Sequence, residues 1–334
     1  MIFRRYRRTG TLLLGLGMCA LVTPQLAAAS VEPVTAETTR SMDRDAVPPG
    51  ESISVHRWTG PRDFTSGSFR GTRPAESARA LTIAHPAGTR TYTDPYGGGT
   101  QRWDYARWTS PMHRVGFGAT ELVASWTADA PQGTWLQVQM RGVTTDGERT
   151  QWYVMGRWAE LDVDIHRTTV SGQNDEHGRI VIDTFKAADN VALRSYQLRV
   201  TLYQLPGSDA SPVVRSVSAM ASRIPGDQSV ETSPPGGAAG TVLDVPQYSQ
   251  NTHLGHYSQW DGGGEAWCSP TSTAMVLSYW GRGPTEQQMS WIPDGHNDPQ
   301  VDFAARGTYD YNYEGTGTGR STSPMRDVSG SKDS

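Results

Sequence analysis

Tyr196, Leu198, Val200 and Leu202 alternate with Gln197, Arg199, Thr201 and Tyr203, the two-residue period of a strand with one face turned to a core. Leu136, Val138 and Met140 alternate with Gln137, Gln139 and Arg141 in the same way and predict a second half-buried strand. Asp146-Gly147 then turns the chain toward Trp152 and Val154, which predicts a hairpin. Ile180 and Ile182 begin another strand, and Glu121 to Trp126 and Arg79 to Ile83 are further candidates. Short strands, Gly, Pro and Asp turns and almost no helical period between residues 51 and 224 point to a β-sandwich of jelly-roll type.

This span carries Trp58, Trp103, Trp108, Trp126, Trp135, Trp152 and Trp158. Large aromatics fill the core between two sheets, and that is the plainer account. The other account is stacking on sugar rings, for which Tyr105 and Trp108, in the expected loop "YARWTSP", are the best exposed pair.

Residues 225–241, with Ser233-Pro234-Pro235-Gly236-Gly237, form a Pro/Gly-rich linker to a second unit. Val242 to Pro246 reads as a short apolar strand that opens it. Further on, Ser269 suits an N-cap, Pro270 the first helical position and Gly281 the left-handed residue beyond the end, so a helix of about three turns is expected after Cys268. Its apolar residues lie on nearly every face, as in a helix buried in a core. A thiol at such a helix start meets free N–H groups and the positive end of the dipole, which favour the nucleophilic thiolate. The bland alternative is a small buried hydrophobe. Cys19, the other cysteine, falls in a segment expected to be removed, which leaves Cys268 without an internal partner.

The runs "DVPQYSQ", "GGGEAWCSPTSTAMVLSYWG" and "VDFAARGTYDYNYEGTG" resemble the peptidase C-39-like group, papain-fold cysteine peptidases related to bacteriocin-processing peptidases, in a form common in exported actinobacterial proteins. The resemblance covers residues 242–317 and implies that Cys268 is the nucleophile and Gln250 the oxyanion-hole glutamine, with Gln247 as second choice. It also implies a peptide or protein substrate, thiol-dependent hydrolysis, and substrate contacts from Trp267 and the tyrosine-rich loop with Tyr309 and Tyr311. That loop reads equally as one face of an extended segment. Ser269 stands where many members have glycine. Before the loop, Asp298 is expected to cap a short helix opened by Pro299 and closed by Gly307, burying Val301, Phe303 and Ala304.

His253-x-x-His256 invites a metal reading with His296 or Asp261, but the spacing completes no zinc signature, so solvated loop histidines are expected, with no metal and no cofactor. In the resembled family the histidine partner of the cysteine and its Asp or Asn lie far downstream. Here His296 is the one histidine after Cys268, in a loop unlike the family's Gly-His strand context. Residues 318–334 are polar and read as a disordered tail, so the expectation is a reading frame cut by a frameshift or early stop, and an inactive or impaired peptidase.

Met1 to Ala29 reads as a secretory signal, with Arg4, Arg5, Arg7 and Arg8, an apolar run from Leu12 to Val22, and cleavage near Ala29. Its removal takes away four arginines and no acid, moving the formal charge from −4 to −8 and arguing against nucleic acid or anionic lipid partners. Residues 30–50 read as a disordered linker. The expected product is a secreted, β-rich multidomain protein: a β-sandwich followed by a partial α+β papain-like domain, with a polysaccharide or cell-wall surface as an alternative partner of the sandwich.

Overall fold

The structure, a computed structural model, describes residues 52–75, 77–223 and 236–316. The signal, the first linker, most of the second linker and the tail beyond residue 316 lie outside the described residues. Fifteen strands follow in chain order: β1 Ile53–Thr59, β2 Ser68–Arg70, β3 Thr72–Ala75, β4 Ala80–Ile83, β5 Gly88–Asp94, β6 Gly99–Thr109, β7 His113–Ala119, β8 Glu121–Asp129, β9 Thr134–Thr144, β10 Tyr153–Trp158, β11 Asn174–Asp175, β12 Gly178–Val181, β13 Thr184–Ala187, β14 Leu193–Gln204 and β15 Val213–Ser222. A short helix, α1 (Gly60–Phe64), follows β1.

The strands form two antiparallel sheets. One has eight strands, β11-β12-β13-β8-β15-β4-β3 with β1 also on β15. The other has seven, β10-β9-β14-β6-β2 with β5 also on β6 and β7 on β14. Alternation explains why they pack. Leu136, Val138 and Met140 of β9 and Leu198, Val200 and Leu202 of β14 meet Leu122 of β8 and Val214 and Val217 of β15 in one buried core. The expected hairpin joins β9 to β10, with Gly147 at φ 99° in its turn. Ile182 differs from expectation: it sits at φ 59° in the turn after β12 rather than in the strand.

β9 is buried on both faces instead of one. On its outer side Gln137 accepts from Arg157 and Gln139 from Arg199, and Arg141 and Arg199 lie 4.5 and 4.0 Å from the Trp152 ring. A second small core grows on that outer face from Trp103, Trp135 and Tyr203, covered by Ala159 and Ile165 of the β10–β11 connection. The Trp135 and Tyr203 rings stack at 3.8 Å. Trp108 corrects the sugar-stacking expectation. The "YARWTSP" run belongs largely to β6, not a loop, and Trp108 is fully buried with its Nε1 donating to the Phe64 carbonyl at 2.9 Å. Trp58, Trp103, Trp135 and Trp158 are buried too.

His56 of β1 and His113 of β7 stack at 4.1 Å and bridge the two sheets. Burial, reinforced by the neighbouring His56, pushes His113 down to about 4, and burial lowers His56 as well. An unfolded chain binds the proton near the ordinary value of about 6.5, so the native state refuses a proton that the unfolded state accepts. Stability from this ring is therefore complete above about pH 6.5 and is lost as pH falls toward about 4. Denaturant midpoints should decline over that window in the parent chain and decline less in His113→Gln. Parallel pH profiles for the two would show that the stacked pair has no such effect.

Candidate active site

Beyond the second linker the described residues form helices and turns: α2 Cys268–Tyr279, α3 Glu286–Met289 and α4 Pro299–Thr308, with 3-10 turns at Gln250–His253 and Gly264–Ala266. No strand is described here, only an isolated bridge between Asp310 and Gly315. Val242 to Pro246 is irregular rather than a strand, because no sheet edge receives it, and Val242 is 91% exposed.

Cys268 is the first residue of α2, two positions earlier than Pro270, the expected first helical residue. Trp267 occupies the cap position with no side-chain cap bond, so Ser269 is inside the helix. The far end forms as the sequence implies. Gly281 takes φ 62°, its N–H reaches the Ser278 carbonyl at 3.0 Å and the Arg282 N–H reaches Leu277 at 2.8 Å, a Schellman closure. The helix is not buried all round. Pro270, Thr271, Ala274 and Leu277 pack inward, while Val276 and Trp280 are exposed.

The Cys268 side is exposed and the thiol unpaired. Among the described residues no histidine hydrogen-bonds its sulfur. Gln250 lies beside the segment leading into α2, its Nε2 donating to the carbonyl of Glu265 at 3.3 Å. Two glycines make this approach possible: a Cβ on Gly264 would stand 2.4 Å from the Gln250 carbonyl oxygen, and one on Gly263 would stand 2.6 Å from that of His256. The "GGG" run is thus where two turns meet backbone to backbone. Gln247 is exposed.

Trp267, expected at the substrate, lies inside the core of the helical part. It is fully buried and its Nε1 donates to the Trp260 carbonyl at 2.7 Å, in a core shared with Ala274, Val301, Ala304 and Ala305. Tyr309 is buried in the same core. Tyr311 turns to the sandwich, where its ring meets His166 at 4.4 Å and its N–H donates to the Arg167 carbonyl at 3.0 Å. The tyrosine-rich run is a turn docked on the sandwich, not an extended face.

Strands and helices belong to one compact unit. Arg167 donates to the carbonyl of Arg306 and pairs with Asp162 at 3.0 Å, and Arg306 reaches the same Asp162 at 3.5 Å. Asp310 accepts from the Thr169 N–H at 2.6 Å and from its hydroxyl at 3.2 Å.

Asp302 is the residue that sequence reasoning missed. It is fully buried on α4 and receives three imidazoles: Nδ1 of His253 and of His256 lie 3.2 Å from Oδ1, and Nδ1 of His296 lies 3.1 Å from Oδ2. Burial alone would raise its carboxyl, but hydrogen bonds from His253 and His296, with the nearby His253 charge and the His256 bond, hold it below the usual range. The histidines are therefore not solvated loop residues: His253 is wholly buried and His256 stacks on His296 at 3.8 Å. Asp261, once paired with them in the metal reading, instead accepts from the Thr316 N–H and hydroxyl. A signal was present, since Val301, Ala304 and Ala305 mark the apolar face of α4 and Asp302 stands among them.

Residues 54–222 match the family model described as Peptidase C39 N-terminal domain, and residues 242–331 match the one described as Peptidase_C39 like family. No curated protein matches the chain. Among solved structures, that of infectious bursal disease virus Gt strain shares 14% identity over 59% of this chain and 36% of its own, with a TM-score of 0.22. The Gx strain structure is likewise covered over 36% of its length, so the chain spans about a third of either. The CBM22-1-GH10 modules of Clostridium thermocellum xylanase 10B share 12% identity over 55% of this chain and 30% of that one, with a TM-score of 0.23. Likeness at that level says nothing about function.

Asp310→Ala should leave Thr169 without its carboxylate and lower stability by about 1–3 kcal/mol. Thermal unfolding should show the helical part melting before the sandwich, whereas a single unshifted transition would mean that this contact does not hold them together.

Proposed function

This chain belongs to the peptidase C39-like family, and on that premise we propose that Cys268 is the position from which a peptide or amide carbonyl is attacked. The observation that carries this reading is the exposed thiol on the first residue of α2, beside the turn that presents Gln250. Sulfur would bond to the carbonyl carbon, the oxygen would take up negative charge, and Gln250 would donate to it once released from the Glu265 carbonyl.

Such a step also requires an imidazole that takes the thiol proton and returns it to the leaving amine. His253, His256 and His296 each direct Nδ1 to Asp302, and among the described residues none of them hydrogen-bonds the Cys268 sulfur. We therefore infer that the chain hydrolyses peptides slowly or not at all, and that it is exported through the Met1–Ala29 segment. The sugar-binding alternative for the sandwich has no support from Trp108, which is buried.

Iodoacetamide should label Cys268 stoichiometrically in the native chain, with Cys268→Ala as the control for Cys19. Hydrolysis of a fluorogenic peptide should fall at least about 10²-fold short of a competent cysteine peptidase and be equal in the two chains. Protection of Cys268 from labelling would refute the nucleophile position, and robust hydrolysis lost in Cys268→Ala would refute the impairment.

A further inference from the structure

We propose that His253, His256 and Asp302 form a binding site for a divalent transition-metal ion, zinc being the best fit, with His296 orienting the carboxylate. One ring nitrogen of each histidine and a carboxylate oxygen all lie within 4.8 Å of one another. Zinc bound at about 2.0–2.2 Å in a tetrahedron separates its ligand atoms by roughly 3.3–3.5 Å. Each Nδ1 stands 3.2 Å from Oδ1, a few tenths inside that edge length, so these two edges are already close to the length an ion requires.

Charge argues in the same direction. A fully buried carboxylate is normally matched by a permanent cation. Among the described residues the ion partners of Asp302 are these imidazoles, whose charge depends on bound protons. A divalent ion would supply that charge and take one nitrogen from each of two histidines already gathered at one carboxylate oxygen. His296 meets the other oxygen, Oδ2, at 3.1 Å and stacks on His256, which is how an outer partner fixes a ligating carboxylate. Two imidazoles and one carboxylate leave a fourth position for water, and the His256 side chain is 22% exposed.

The other close group, Asp175, Glu176 and His177, is a poorer candidate. Its residues are consecutive in a hairpin turn, and Asp175 already accepts from Tyr153 and from the His177 and Gly178 N–H groups. Bound metal would tie the turn carrying Gln250 to α4, a structural role separate from chemistry at Cys268.

The test uses the untagged full chain, stripped with EDTA and titrated with Zn²⁺ and, separately, with Co²⁺. The expected result is one Zn²⁺ per chain, a rise in thermal midpoint on loading, and visible Co²⁺ absorption without a thiolate charge-transfer band. His256→Ala should weaken Zn²⁺ binding at least about 100-fold and His296→Gln about 10–100-fold. Cys268→Ser and His177→Ala should bind as the parent does. Near-UV circular dichroism checks that each variant is folded. Failure of the folded parent to take up Zn²⁺ at micromolar concentration, or equal affinity in folded His256→Ala, would overturn the site.

Discussion

A carboxylate buried without a permanent cation sets the terms for the whole helical part. Asp302 sits on α4 among Val301, Ala304 and Ala305, where solvent cannot reach it, and three imidazoles from two separate loops close around it. Leaving such a group unmatched is among the most destabilising changes a core can suffer. The loops are therefore held where their histidines meet it. Holding His253 fixes the Gln250–His253 turn, whose backbone rests against Gly264. That places Gln250 against Glu265, three residues before the thiol. The geometry around Cys268 follows from a charge on another helix.

The sandwich contributes a platform. Its inner faces bury the alternating aliphatic residues, and the outer face of the seven-stranded sheet carries a second core under the connection with Ala159 and Ile165. The same connection continues through Arg167 and Thr169, which hold Arg306 and Asp310. Outer-face packing and docking are thus linked through one stretch of chain. On the opposite side of α2, Val276 and Trp280 remain exposed at 53% and 59%.

Much of the strand architecture was legible because a two-residue period is a direct record of which side chains face the core, as in Leu198, Val200 and Leu202. What failed was inference about faces from polarity alone. Gln137 and Gln139 read as solvent-facing but are covered by arginines that satisfy them, and Trp108 read as a loop residue but lies on β6 with its ring in the core. The helix at Cys268 was readable from Gly281 and from its length, while its start shifted because Trp267, anchored to Trp260, turns the chain before Ser269 can cap. The histidine cluster was half legible. His253-x-x-His256 was visible, but its partner is 46 residues beyond His256 and looks, in sequence, like an ordinary acid in a short helix. Pairing across that separation is a property of the fold and not of local pattern.

Amide hydrogen exchange on Asp302→Asn, set against the parent chain, tests the dependence on this buried charge most directly. The account predicts faster exchange throughout residues 250–266 and 299–308 with the strands of the sandwich still protected. Unchanged protection in those two segments would contradict it, and would mean that the turn bearing Gln250 and the start of α2 are held by packing alone.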